Sequence, residues 1–98
     1  MSKKEETKFK EKVQKDLNSL VKCWHEKIQQ KSIRGTPDIL ACINGVFVAI
    51  ELKVDSKLSN LQEYKLKKIR ASNGIAIEVT PENWEGHFEV LKIIAEKM

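Results

Sequence analysis

The chain has 98 residues, 33% of them charged and 41% hydrophobic, with 18 Lys and Arg against 14 Asp and Glu for a net charge of +4. That size and balance fit one soluble globular domain over residues 1–98 with a single modest core, and they exclude a disordered chain. The longest apolar run, Val46–Ile50, falls far short of the roughly 20 residues of a membrane span.

The start, Met1-Ser2-Lys3-Lys4-Glu5-Glu6, is charged with no apolar segment behind it, so it does not read as a secretory signal. The cytoplasm is therefore the expected compartment. The two cysteines, Cys23 and Cys42, form no Cys-x-x-Cys pair and no zinc-spaced cluster. In a reducing compartment both read as small core residues. A pI near 9.1 hints at a polyanionic partner without deciding one.

Phe9, Val13, Leu17 and Leu20 recur at steps of four, four and three, which predicts an amphipathic helix over Lys3–Leu20 with a basic solvated face. Cys23–Ile28 alternates as a strand, with Cys23, His25 and Lys27 on one side and Trp24, Glu26 and Ile28 on the other. Gln29–Gly35 has no period and reads as a loop. Asp38–Ile43 and Val46–Lys53 are apolar, β-branched runs separated by Asn44-Gly45. Asn-Gly is a strong hairpin signal because both central positions of a type I′ turn need positive φ. After the polar stretch Asp55–Ser59, Ser59 or Asn60 caps a helix running to about Ala71, and Asn73-Gly74 ends it. Ile75–Val79 is a short strand. Thr80-Pro81-Glu82 opens a last helix, with threonine as cap and proline in the first turn. A helix between the second hairpin strand and Ile75–Val79 allows those strands to be parallel neighbours. The expected fold class is α/β, a mixed central sheet with flanking helices.

Four features converge on one end of the hairpin. With Ile43 opposite Val46, position i lies opposite 89 minus i, so Asp38 faces Glu51 and both point to the same side. Like charges directly opposite are destabilising, and a divalent cation held by hard oxygen ligands, Mg²⁺ or Mn²⁺, would offset that. Lys53, two residues beyond Glu51, projects to the same side. Two carboxylates beside an ammonium suit phosphodiester cleavage, in which a metal polarises phosphate and activates water. Glu6 falls within the apolar stripe of the first helix, where an acid on a buried face needs a reason. Gln62 shares a stripe with Leu66 and Ile69 and points inward. Taken singly, each has an ordinary reading. Asp38 after proline can be a turn residue, and Glu51 and Lys53 can be a surface ion pair. Glu6 can be a solvated terminal acid, and Gln62 an ordinary first-turn polar residue. Their combination around one hairpin is what argues for a site. His25 and His87 lack partners at metal or triad spacing and read as structural; Trp24 and Trp84 read as core or interface.

Gly35-Thr36-Pro37-Asp38, an apolar strand, Asn44-Gly45, a second apolar strand and Glu51-Leu52-Lys53 resemble the PD-(D/E)xK nuclease superfamily. More narrowly, the chain resembles the virus-type replication-repair nuclease (VRR-NUC) family over roughly Glu6–Val79. Glu6, rather than Glu5 or Glu11, falls on the family's helical glutamate, Asp38 on its PD aspartate, Glu51 and Lys53 on its (D/E)xK pair, and Gln62 on its helical glutamine. The resemblance implies a restriction-endonuclease-like core. It also implies Mg²⁺ or Mn²⁺ held by Glu6, Asp38, Glu51 and the Leu52 carbonyl, and hydrolysis of branched DNA in a bacterial or phage-infected cell. Minimal members of this kind are similar to Holliday junction resolvases and imply a homodimer acting on four-way junctions. A flap or nonspecific nuclease, or a non-catalytic DNA-binding module of the same fold, is the alternative. Lys31, Arg34, Lys57, Lys65 and Lys68 are the expected DNA contacts, to backbone and shape, since no base-reading motif is present. The stripe Trp84, Phe88, Leu91 and Ile94 or Ala95 reads mostly as core, with some residues left for a partner copy.

Overall fold

Seven elements follow the expected order in the computed structural model, which describes residues 3–29 and 34–97, with backbone only at Lys3. They are α1 (Lys3–Asn18), β1 (Cys23–Lys27), β2 (Ile39–Ile43), β3 (Val46–Leu52), α2 (Asn60–Ala71), β4 (Ile75–Val79) and α3 (Trp84–Glu96). The sheet order is β1-β2-β3-β4; the first two neighbouring pairs are antiparallel and β3–β4 is parallel. The fold is thus α/β, with a mixed four-stranded sheet flanked by helices. Among the described residues no helix is long and apolar enough to cross a membrane.

The hairpin turn sets the sheet. Asn44 and Gly45 have φ of 50° and 84°, as the Asn-Gly pair requires, and Ile43 pairs with Val46. The Asn44 amide donates to the Ile94 carbonyl across 3.1 Å, tying the turn to the end of α3. From this register the side chains divide between two faces. Ile39, Ala41, Ile43, Val48 and Ile50 point to the first, where Phe9, Val13 and Leu17 of α1 and Trp84, Leu91 and Ala95 of α3 pack on them. Leu40, Ala49 and Ala76 point to the second, where Leu66 and Ile69 of α2 lie. Fully burying a Leu or Ile side chain contributes about 1.5–3 kcal/mol, so the first face, with most of the buried residues, dominates the core. The Trp84 indole N–H donates to Asp16 across 2.8 Å, which satisfies the polar edge of a side chain that is 1% exposed and joins α3 to α1.

Several local expectations are corrected. The first helix ends at Asn18, and Leu20 lies beyond it, partly buried against the core. Strand β2 begins at Ile39 and β3 ends at Leu52, although Ile28 N–H donates to the Asp38 carbonyl and Lys53 N–H to that of Val79, which prolongs the ladder. The last helix begins at Trp84. Thr80 does act as a cap, but of a separate turn: its hydroxyl accepts from Asn83 N–H, and the Asn83 side chain accepts from Thr80 N–H. Cys42 is exposed and Cys23 half-buried, so Cys42 is not a core residue; it sits on the second face, which α2 leaves open there. Trp84 is core, whereas Trp24 is 61% exposed. The α3 stripe is mostly core, as expected: Trp84, Leu91 and Ala95 are buried, and Phe88 and Ile94 pack against the core.

Candidate active site

Asp38 stands one step beyond the last β2–β3 pair, Ile39 with Ile50, and therefore opposite Glu51 on the second face. Its backbone is held from β1 by the 2.8 Å bond from Ile28 N–H. Its carboxylate accepts from Leu52 N–H across 2.9 Å, so the side chain closes the ladder where strand pairing stops. The approach to Asp38 is shaped by Gly35, whose φ is +79°. A Cβ there would meet the Leu61 side chain at 2.9 Å, so the loop lies directly on the start of α2.

Glu51 is 3% exposed, the one buried charged residue among those described. One carboxylate oxygen accepts from the Gln62 side-chain amide at 2.8 Å and lies 3.7 Å from the Lys53 ammonium. Burial, and then the charge of Asp38, push its carboxyl up to about 7, with Lys53 opposing. Gln62 is itself fixed. Ser59 caps α2 by accepting from Gln62 N–H, and the Gln62 side-chain oxygen accepts from Ser59 N–H, a reciprocal capping box. With its oxygen engaged, the amide must present nitrogen to Glu51.

These groups open into one cavity of about 230 Å³, lined by Glu6, Phe9 and Lys10 of α1, by Asp38, by Glu51 through Val54, by Ser56 and by Gln62. The structure thus brings all five expected site residues, Glu6, Asp38, Glu51, Lys53 and Gln62, together with Leu52. It corrects the placement of Glu6, which is exposed on the cavity wall; the buried stripe of α1 begins at Phe9. Among the described residues no three His, Cys, Asp or Glu side chains are grouped to hold a metal ion, so the close carboxylate pair is Asp38 and Glu51. That pair nevertheless fits a divalent cation: two hard oxygen ligands share a site whose negative charge Lys53 offsets only in part.

Sequence reasoning missed Lys10 and Ser56. Lys10 lies four residues after Glu6, on the same side of α1, and that spacing was the available signal. Glu78 was missed too. It pairs in register with Glu51, but its side chain lines a separate hollow with Glu63, Lys67 and Arg70 on the far flank of α2. Of the expected DNA contacts among the described residues, none lines the site cavity. Arg34, Lys57 and Lys68 are exposed, Lys65 is half-buried on α2, and Lys31 lies outside the described residues. Comparison of the chain with family models, with curated proteins and with solved structures returns no match.

Proposed function

We propose that this chain is a metal-dependent DNA endonuclease of the PD-(D/E)xK kind, resembling the VRR-NUC family and built on a restriction-endonuclease-like core. One observation carries the reading. A buried carboxylate, Glu51, faces Asp38 at the open end of the sheet, with Lys53 and Gln62 on the same Glu51 oxygen. A purely structural role leaves this acid pair unexplained, because facing like charges, one of them buried, destabilise the fold.

Asp38, Glu51 and the Leu52 carbonyl would hold Mg²⁺ or Mn²⁺, with Glu6 available from the cavity wall. The cation would supply charge neutralisation at phosphate and a lowered pKa for water. Lys53 presents its ammonium where negative charge grows on the phosphate during attack, and orients water beside Glu51. Gln62 keeps Glu51 in place. Lys10 offers a phosphate contact from the opposite wall, and Arg34 and Lys57 offer others from the flanking loops. The substrate class we propose is branched DNA, with the four-way junction first and flaps second. The support for branching is the resemblance; the net positive charge supports only a polyanion. A cytoplasmic setting follows from that substrate.

The test is incubation of purified protein with a synthetic four-way junction, a flap and supercoiled plasmid, in Mg²⁺, Mn²⁺ or chelator. Cutting that needs the cation and is lost in Asp38→Asn and Glu51→Gln supports the reading. Cutting undiminished in chelator, or no cutting of any of the three, sinks it.

A further inference from the structure

The hairpin turn and the end of α2 enclose a second hollow, away from the catalytic cavity. Residues 45–47 line it on one side, and Lys68, Ile69 and residues 72–74 on the other. Its volume is about 670 Å³, within the roughly 300–1,000 Å³ of ligand sites. Every residue that lines it is described. It also lies at the far end of α2 from residues 30–33. Those lead into Gly35, which rests on Leu61 in the first turn of α2. The hollow begins at Lys68, about 10 Å further along the helix axis.

Local rules build its walls. The end of α2 is a Schellman motif: Asn73, at φ 68°, donates its N–H to the Arg70 carbonyl, and Gly74 donates to that of Ile69. An apolar side chain at the position of Gly74 often packs on the helix in such an end. Gly74 supplies none, and the patch of Val46, Phe47 and Ile69 stays open beside it. Phe47 is 46% exposed, yet its ring is set close on the chain, where a Cβ at Gly74 would come within 3.1 Å of it. The lining is mostly apolar, as small-ligand sites are.

One charge stands at the rim. The Lys68 ammonium is 6.0 Å from the Tyr64 ring centre and has no carboxylate partner among the described residues. Gln30, Lys31, Ser32 and Ile33 carry no side-chain acid that could supply one. Lys67 lines a different hollow, with Glu63. A single-stranded nucleic acid is gripped by a row of cations and by successive aromatic faces. The lining of this hollow has one cation, Lys68, and one aromatic ring, Phe47. It therefore suits one carboxylate on an apolar body.

We propose that the hollow takes the C-terminal residue of a partner polypeptide, one whose last side chain is apolar. Such a residue carries a free carboxylate and an apolar group on the same Cα, which matches a lone ammonium beside an apolar wall. The side chain lies against Val46, Phe47 and Ile69, the carboxylate meets Lys68, and Asn73 offers its side-chain amide to the partner's main chain. The hollow and the catalytic cavity share no lining residue, so the partner leaves the cavity free. The proposal stands whether or not the chain cuts DNA.

The experiment is an NMR titration of amide chemical shifts, which reads where a probe binds and not cleavage. The probe is the hexapeptide Gly-Ser-Gly-Ser-Gly-Phe with a free carboxyl end. It should shift the amides of Val46, Phe47, Ile69 and Gly74 saturably. The same peptide ending in a carboxamide, and one ending in glycine, should each bind about tenfold or more weakly. Lys68→Ala should weaken the free-carboxylate peptide by the same factor and leave the carboxamide peptide unchanged. Lys67→Ala should leave both unchanged. The absence of a saturable shift at these amides overturns the proposal. So does a carboxamide peptide that binds as well as the acid, or a loss in Lys67→Ala equal to that in Lys68→Ala. An oligothymidylate that moves the same amides at lower concentration than the peptide also overturns it and gives the hollow to nucleic acid.

Discussion

The Gln62 side chain bridges two backbone-distant events: its oxygen accepts from Ser59 N–H at the cap of α2, while its nitrogen donates to Glu51 at 2.8 Å. The same residue therefore starts a helix and orients a buried acid. Glutamate in its place can still close the capping box but puts a like charge on Glu51. Gln62→Glu is expected to keep the melting temperature within a few degrees of wild type, lose cutting at least as severely as Gln62→Ala, and move the pH profile upward. Equal activity in Gln62→Glu and wild type would show that the contact to Glu51 does not matter to chemistry.

Glu51 gives a signed pH dependence. Its folded carboxyl, at about 7, lies above the ordinary 4.5, so between those values the folded state holds the extra proton. Stability of the metal-free protein should be greatest from this group below about pH 4.5, fall as pH rises toward 7, and be flat beyond. Glu51→Gln should abolish that slope and raise the melting temperature at pH 8 by several degrees, given that 1 kcal/mol moves it by about 4–8 °C in a domain of this size. Thermal melts of both proteins across pH, in chelator, are the measurement; parallel curves would contradict the assignment.

Asp38→Asn separates charge from geometry. Asparagine can still accept the bond from Leu52 N–H, but it removes the charge that helps raise Glu51. The Glu51 carboxyl, followed by NMR, should titrate lower than in wild type while the fold persists. Mn²⁺ or Mg²⁺ should raise the melting temperature of the wild type at pH 8 and have little effect on Asp38→Asn. A variant stabilised by the cation as much as wild type would remove Asp38 from the ligand set.

Gly35→Ala tests the approach loop. A left-handed backbone at a non-glycine residue costs about 1–2 kcal/mol. The added methyl would also press on Leu61, 2.9 Å away. A loss of at least that size in urea denaturation is expected, with a larger proportional loss of cutting because Asp38 follows three residues later. An alanine variant as stable as wild type would mean the loop can settle elsewhere without strain.

Lys10 and Lys68 should behave differently toward DNA. Each phosphate neutralised adds about 0.9 to the slope of log affinity against log salt on duplex DNA. Lys10→Ala should lower that slope by about one phosphate's worth. Lys68→Ala should leave the slope near the wild-type value, since Lys68 lines a hollow beside Phe47 and Ile69 and not the site cavity. Titrations of a catalytically silent Glu51→Gln background at several salt concentrations read this directly. A slope unchanged by Lys10→Ala would move the DNA path off α1.

What the sequence determined by itself was everything a local rule could reach. Asn44-Gly45 imposes a two-residue turn, and the turn alone fixes the register that sets Asp38 opposite Glu51 and Lys53 beside it. The four-four spacing of Phe9, Val13 and Leu17 is a property of one helix, and so was legible. Tertiary structure decided what depends on where separate elements land. Glu51 is buried because α2 brings Gln62 over it, a contact between residues 11 apart in different elements. Glu6 is exposed because α1 buries its stripe only from Phe9 onward, and Lys10 lines the cavity from the same end of that helix. Cys42 read as core and Trp24 as core or interface, yet both are exposed, because strand alternation names two faces without saying which has a helix to cover it. Burial is a property of the assembled layers, and α2 covers only half of its face.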